Sequence, residues 1–268
     1  MTSTGERTHD IVLFGATGFV GRLTAGHLAR NAPDGARIAL AGRSLERLEK
    51  VRSGLDSKAA DWPLLVVDAS DEAQVAELAA ATRVVATTVG PYAKYGMPLV
   101  AACAAAGTHY CDLTGEVLFV RDAIDAYQDE AAESGARIVN SCGFDSIPSD
   151  LGVWVTAQQV AADGEGTLGE TLLHVRTLRG GISGGTIDSM RQQAIVSSAD
   201  PSARRRAGDP YGLSPSRDEE PSHRNRRPAP RNVLEKVSRQ VPVNLDPVTG
   251  RWNAPFFMAS RCLAMSIP

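Results

Sequence analysis

The sequence predicts a doubly wound parallel α/β sheet domain followed by a partial second α/β domain. Three observations carry that expectation. Apolar runs alternate with amphipathic stretches as far as residue 150. A glycine-rich turn, Gly15-Ala16-Thr17-Gly18-Phe19-Val20-Gly21, follows the first apolar run directly. Beyond residue 150 the alternation breaks down. Strand and helix signals that alternate in this way imply parallel strands with helices on both faces.

The elements follow in order. Ile11-Val12-Leu13-Phe14 is the heart of a strand over 10–14, and Val20, Leu23 and Leu28 mark the apolar face of a helix over 19–31. A strand over 37–42 precedes a helix over 45–54, with Ser44 at its N-cap. A strand over 64–68 leads to a helix over 71–81 that opens at a capping Asp71. A strand over 83–89 and a helix over 97–106 follow, then a strand over 109–112, a helix over 117–134 and a strand over 137–141. Gly107 and Gly135 stand where left-handed C-terminal caps are wanted. Residues 1–150 therefore read as one doubly wound domain, which the glycine turn makes a candidate dinucleotide-binding domain, and 151–268 as part of a second.

In the second part the expectations are a helix near 150–162, a strand over 170–179 and a glycine turn over 180–185. A helix over 186–198 comes next, and Asp145 and Ser146 are the candidate caps of the first of these helices. Residues 199–231, rich in Arg, Pro, Ser and Asp, read as a long loop. Short apolar pieces resume at 241–245 and 255–259.

Composition narrows the function classes. The chain has 268 residues, 43% of them hydrophobic, and a net charge of −3, which fits a soluble globular protein and gives no case for nucleic-acid binding. Cys103, Cys111, Cys142 and Cys262 lack metal-ligand spacing and read as reduced thiols of a cytoplasmic protein, with no metal site expected. Peripheral contact at the inner membrane face stays open, but no apolar run reaches the ~20 residues of a membrane span. The polar stretch from Met1 to Asp10 has no signal-peptide core.

The glycine turn sits between a strand and a helix, the context of the Rossmann fingerprint. Glycines there let backbone N–H groups approach a pyrophosphate, and the helix start adds its positive end. Gly15, Thr17, Gly18, Phe19, Val20 and Gly21 are the candidate binding residues. The second strand ends in Gly42-Arg43-Ser44, where NAD sites place a carboxylate for the ribose hydroxyls. Arg43 suits a 2′-phosphate, with Ser44 adding a hydroxyl, so NADPH is expected over NADH. Asp68, closing the third strand, either borders the adenine or caps the next segment. The fourth strand runs into Gly90-Pro91-Tyr92-Ala93-Lys94-Tyr95, a loop expected to border the nicotinamide. Gly90 is a candidate backbone contact there. Tyr92 and Tyr95 are candidate catalytic hydroxyls, or else loop packing. Asp112, Glu116 and Asp145 are candidate polar groups of the same cleft, and Cys142 reads as a structural thiol.

Together, the Gly15–Gly21 turn, Gly42-Arg43, Val89-Gly90-Pro91-Tyr92, Tyr110-Cys111-Asp112-Leu113-Thr114-Gly115-Glu116 and the run from Cys142 to Asp150 resemble the saccharopine dehydrogenase-like oxidoreductases. Ser183-Gly184-Gly185-Thr186 and the segment Asp209–Pro215 look like the trans-acting enoyl reductase branch. The resemblance implies an NADPH-dependent reduction of a carbon–carbon double bond during polyketide-type, phthiocerol-like lipid biosynthesis. The substrate would be an acyl chain on a polyketide synthase carrier protein, and a homo-oligomer is an option. Two other readings stay open: a saccharopine-type amino-acid dehydrogenase, and a truncated, non-catalytic protein that binds nucleotide or partner. The run from Arg261 to Pro268 departs from the continuation the resemblance implies, so an incomplete second domain is expected. The arginines at 204–206 and 224–227 are candidates for docking an acidic carrier.

Overall fold

Short, wholly apolar strands can sit only where both faces are covered, and β2 (Ile38–Gly42) is buried along its whole length. It lies beside β1 (His9–Phe14), in register Ile11 to Ile38. The computed structural model describes residues 7–169, 184–209 and 211–214, with 171, 173, 175, 177, 244–245, 250 and 252–253.

The remaining strands of the sheet are β3 (Leu64–Val66), β4 (Thr82–Thr87), β5 (His109–Cys111) and β6 (Ile138–Val139). All neighbours are parallel, and the order is β3-β2-β1-β4-β5-β6. The chain thus works outward from β1 in one direction, then crosses back and works outward in the other. The reversal falls between β1 and β4, the place where such sheets open a crevice for a ligand.

Helices join the strands: α1 (Phe19–Asn31), α2 (Leu45–Ser53), α3 (Glu72–Ala81), the single turn α4 (Tyr92–Tyr95), α5 (Met97–Ala106) and α6 (Val117–Ser134). Alternate residues of β1 face opposite ways. Val12 and Phe14 enter a core with Val75, Leu78, Leu99 and Phe119, and Leu13 enters another with Ala25, Leu40, Leu48 and Trp62. The predicted caps are in place: Ser44 accepts the Arg47 N–H, Asp71 accepts those of Ala73 and Gln74, and Gly107 and Gly135 are left-handed.

Sequence periodicity misassigned one face. Leu23 of α1, expected in the core, is 61% exposed, and the helix instead buries Gly21, Ala25 and Ala29. Small residues let α1 lie close on the sheet, so bulk there did not mark the inner face. The third strand also stops at Val66, short of Asp68.

Beyond β6 come α7 (Ile147–Ala162), α8 (Gly184–Ala199) and α9 (Pro201–Gly208). α7 begins earlier than its predicted 150. Ser146 occupies its N-cap position with no side-chain bond to the first turn, so the expected capping by Asp145 or Ser146 is not formed. α7 buries none of its side chains, and Leu151, Trp154 and Val155 are exposed.

α9 corrects the expectation of a loop over 199–231. Asp200 caps it, Pro201 opens it, Ala203 is buried, and Arg206 pairs with Asp122 of α6 at 3.3 Å. Arg206 is therefore engaged within the chain. Residues 215–231, including Arg224–Arg227, lie outside the described residues. Of the expected strand over 170–179, the described residues Thr171, Leu173, Val175 and Thr177 belong to no strand. β7 (Asn244–Leu245) and β8 (Trp252–Asn253) pair antiparallel within or beside the predicted apolar pieces. The piece at 255–259 lies outside the described residues. Among the described residues no helix is long and apolar enough to cross a membrane.

The edge of the sheet where the strands begin is tied by charge. The Arg7 guanidinium donates to the carbonyls of Ala79, Ala80, Thr82 and Ala106 and to the Thr108 hydroxyl. Asp10 pairs with Arg37 at 2.9 Å across β1 and β2. The hydrogen bond from the Arg37 side chain lowers the Asp10 pKa from an ordinary 3.8 to about 2. A depressed carboxyl pKa stabilises the fold in full above the ordinary value, and that contribution is lost as pH falls from 3.8 through about 2. NMR titration of the Asp10 carboxyl carbon should therefore find its midpoint near the lower value. A midpoint at the ordinary value would show that the pair is not held in solution.

Candidate functional site

Because every strand of the sheet runs the same way, all the strand-to-helix turns on one side share an edge. The turn 15–21, the segment 42–44, Asp68, the loop 88–96 and the segments 112–116 and 140–146 all lie there.

The glycine turn is built by backbone. Gly15 has φ +86°, a left-handed conformation that disfavours a side chain, and a Cβ there would come within 2.8 Å of the Thr88 hydroxyl. The Gly15 N–H donates to Ala41, and the Gly18 N–H donates to the Gly15 carbonyl at 3.0 Å. A Cβ on Gly21 would fall 2.1 Å from the Gly15 carbonyl oxygen, so Gly21 brings the first turn of α1 against the end of β1. A Cβ on Gly18 would lie 3.3 Å from the same oxygen, a far looser fit, and Gly18 is exposed.

α1 has no side-chain cap and no acidic residue in its first turn. Its first N–H groups are therefore available to an anion from outside. Thr17 and Val20 are half-buried beside them, and Phe19 is 63% exposed over the turn. This arrangement fits the pyrophosphate of a dinucleotide.

Across the crevice, Arg43 is exposed at the end of β2 and makes no hydrogen bond or ion pair with another described residue. Ser44 spends its hydroxyl on the α2 cap. Asp68 caps the turn that follows β3. Its carboxylate accepts the N–H and hydroxyl of Ser70, which lowers its pKa, and the Arg43 charge contributes to the same shift. Asp68 is therefore a turn former that lies within the field of Arg43.

The loop after β4 is fixed to the glycine turn. The Thr88 N–H donates to Phe14 at 2.9 Å, and its hydroxyl donates to the Gly15 carbonyl at 3.1 Å. Gly90 is exposed on this wall. The two candidate tyrosines diverge. Tyr92 is 5% exposed, stacks at 5.7 Å on Phe119, donates to the Thr87 carbonyl and accepts the Leu113 N–H. Burial, aided by the Asp112 carboxylate, drives its pKa well above the ordinary tyrosine value. Its hydroxyl is thus committed inside the loop. Tyr95 is half-buried, and the Lys94 ammonium lies 4.8 Å from its ring centroid. A hydrogen bond with Tyr95 raises the Lys94 pKa.

The acidic candidates turn inward. Asp112 accepts four hydrogen bonds, from the Tyr110 hydroxyl, the Asn140 amide and the N–H groups of Thr114 and Ser141. Burial still holds its pKa above the ordinary value. It ties the end of β5 to the end of β6. Glu116, 1% exposed, accepts the N–H groups of Tyr92 and Ala93. Both were expected as cleft groups, and both are structural ties behind the cleft wall. A buried carboxylate needs that many donors to offset its lost hydration. The sequence signal for these roles was their place two and six residues after an apolar strand core, though spacing alone could not say which way they faced. Asp145 is half-buried, and burial raises its pKa. Burial also lifts the thiols, Cys103 to about 12 and Cys111 to about 11, with Cys142 raised too, so none of the three is activated as a nucleophile.

Comparison with known proteins bears on this edge directly. Residues 11–139 match the family described as the saccharopine dehydrogenase NADP binding domain. A Mycobacterium tuberculosis protein provisionally named a trans-acting enoyl reductase is 52% identical over 259 residues, which are 97% of this chain and 60% of that protein. A Mycobacterium bovis protein named trans-acting enoyl reductase is 53% identical over 220 residues, 82% of this chain and 52% of its own. The chain thus spans between half and two thirds of the length of these relatives. Among solved structures, apo saccharopine dehydrogenase (L-Glu forming) from Saccharomyces cerevisiae is 19% identical. It covers 58% of this chain and 32% of its own, with a TM-score of 0.47.

Proposed function

Since the chain belongs to the saccharopine dehydrogenase-like family and carries its NADP-binding domain, we propose that it works as a trans-acting enoyl reductase. It would use NADPH to reduce the double bond of an enoyl thioester carried on a polyketide synthase. The 52% identity to a mycobacterial protein of that provisional name is the observation that carries this reading. Lipid biosynthesis of the phthiocerol type is the context it suggests.

The site residues are assigned on the same footing. The uncapped N-terminus of α1 and the turn residues Gly15, Thr17, Gly18, Phe19, Val20 and Gly21 hold the pyrophosphate. Arg43 takes the 2′-phosphate, with Asp68 limiting its reach and Ser44 closing α2 beside it. Gly90 keeps the wall thin on the nicotinamide side. NADPH, when bound, supplies the hydride. The protein must then stabilise negative charge developing on the thioester oxygen and deliver a proton to the α-carbon. Tyr95, with the Lys94 ammonium beside it, suits the proton-donating role, and Tyr92 supports the loop that carries it. The division at residue 150 follows the same logic: 1–150 for the cofactor, 151–268 for the acyl chain and its carrier.

Mixing purified protein with NADPH and a carrier-bound enoyl thioester, and following absorbance of the reduced nicotinamide, tests the reading. Turnover that requires the enoyl substrate is expected. Binding of NADPH with no reduction of any enoyl thioester would overturn the reductase assignment.

Selectivity is tested separately. Losing the charged contact in Arg43→Ala should cost about 1.5–3 kcal/mol of NADPH affinity, roughly 10- to 100-fold, and leave NADH binding unchanged. Titration of both proteins with both cofactors measures this, and equal losses for the two cofactors would remove Arg43 from the phosphate site.

A further inference from the structure

The carboxylate of Glu116 joins three segments that the chain keeps far apart. Oε2 accepts the Ala93 N–H at 2.8 Å, and Oε1 accepts the Tyr92 N–H at 2.9 Å. Oε1 also accepts the hydroxyl of Ser189, on α8, at 2.6 Å, a contact across 73 residues. Beside it, the Gln193 amide donates to the Gly115 carbonyl at 3.4 Å. The Ser189 hydroxyl also lies 3.9 Å from where a Cβ on Gly90 would stand, so α8 lies directly over the exposed tip of the loop 88–96.

α8 buries none of its own side chains. α8 is held on the first domain by these polar bonds and, through α9, by the buried Ala203 and the Arg206–Asp122 pair, whereas α5 and α6 are held by packing. A carboxylate this deeply buried has no water to replace a lost donor. A change at Ser189 must therefore be felt at the amides of Tyr92 and Ala93, which share the same acceptor.

We propose that Glu116 is a positioning residue that couples α8 to the 88–96 wall of the cleft, so that the wall holds its shape only while α8 is seated. The inference rests on the reading that this cleft takes NADPH. Cofactor binding and seating of α8 then favour each other, as two events that order the same loop.

Hydrogen exchange on the full chain, with and without NADPH, tests this in the wild type, Ser189→Ala and Ser189→Thr. Without cofactor, Ser189→Ala should speed exchange about tenfold at both 90–96 and 184–199, the scale of one lost charged hydrogen bond. Ser189→Thr, which keeps the hydroxyl, should restore the wild-type rates. With NADPH, the wild type should gain protection at 184–199 as well as at 15–22, and Ser189→Ala only at 15–22. Unchanged exchange at 90–96 in Ser189→Ala, or loosening confined to α8, would overturn the coupling. If NADPH protects nothing in the wild type, the cofactor reading fails, while the comparison without cofactor still decides whether Glu116 couples the two segments.

Discussion

Gly21→Ala should unfold the cofactor turn and destabilise the whole domain. One methyl group on a helix is ordinarily favourable, worth about 1 kcal/mol over glycine in propensity. Here it would stand 2.1 Å from the Gly15 carbonyl oxygen and 2.9 Å from Ala16 Cα, both backbone atoms. Neither can swing aside as a side-chain end would. Gly15 is fixed by its bonds to Ala41 and Thr88, so α1 must lift from the sheet. Lifting it uncovers Ala25 and Ala29, which are buried against Leu13 and Leu40. Overpacking of this kind costs about 3 kcal/mol or more, which outweighs the propensity gain. Urea unfolding should find the midpoint sharply lowered. A midpoint equal to the wild type would mean that α1 approaches the strand less closely than described.

Gly18→Val should do the opposite: spare the fold and remove the cofactor. The backbone at Gly18, φ −71° and ψ 171°, suits any residue, and the nearest atom to an added Cβ is 3.3 Å away. The valine methyl groups would instead occupy the exposed space before the first N–H groups of α1. Two or three charge-assisted hydrogen bonds to the pyrophosphate would be lengthened or lost, and NADPH affinity should fall by about 100-fold or more. Calorimetry gives the affinity, and a thermal melt gives the stability. Unaltered NADPH affinity in a folded Gly18→Val protein would show that the anion does not sit on this turn.

The contrast between these two glycines was not legible in the sequence, where both are simply members of one motif. What was legible is the sheet. Its strands are short apolar runs, its helix ends carry Ser44, Asp71, Gly107 and Gly135, and local chemistry of that kind survives any tertiary arrangement. The errors have physical causes. Leu23 was assigned to the core because bulk is usually buried, whereas close helix-on-sheet packing selects Gly21, Ala25 and Ala29. α9 was missed because its residues are polar, although Asp200 followed by Pro201 is a cap and first-turn signature that composition masked. Of the cleft, the glycine turn and Arg43 could be read from position along the chain. The fates of Tyr92, Asp112 and Glu116 could not. Each depends on partners 20 or more residues away, such as Leu113, Asn140 or Ser189.

The hydrogen bond from Thr88 to the Gly15 carbonyl spans 73 residues. The glycine turn is complete only when β4 has come home beside β1, and three intervening helices and two strands must be threaded before it does. Closing a loop that long carries an entropy cost that must be met before the crevice is complete. A dinucleotide that recognises the finished crevice has nothing to hold on the unfolded chain. If the crevice takes NADPH as proposed, the cofactor would act as a thermodynamic lock on the crossover, adding about 2.7 kcal/mol when its concentration is 100 times its dissociation constant. In a cell, the supply of cofactor would then shift the balance between folded and unfolded chains.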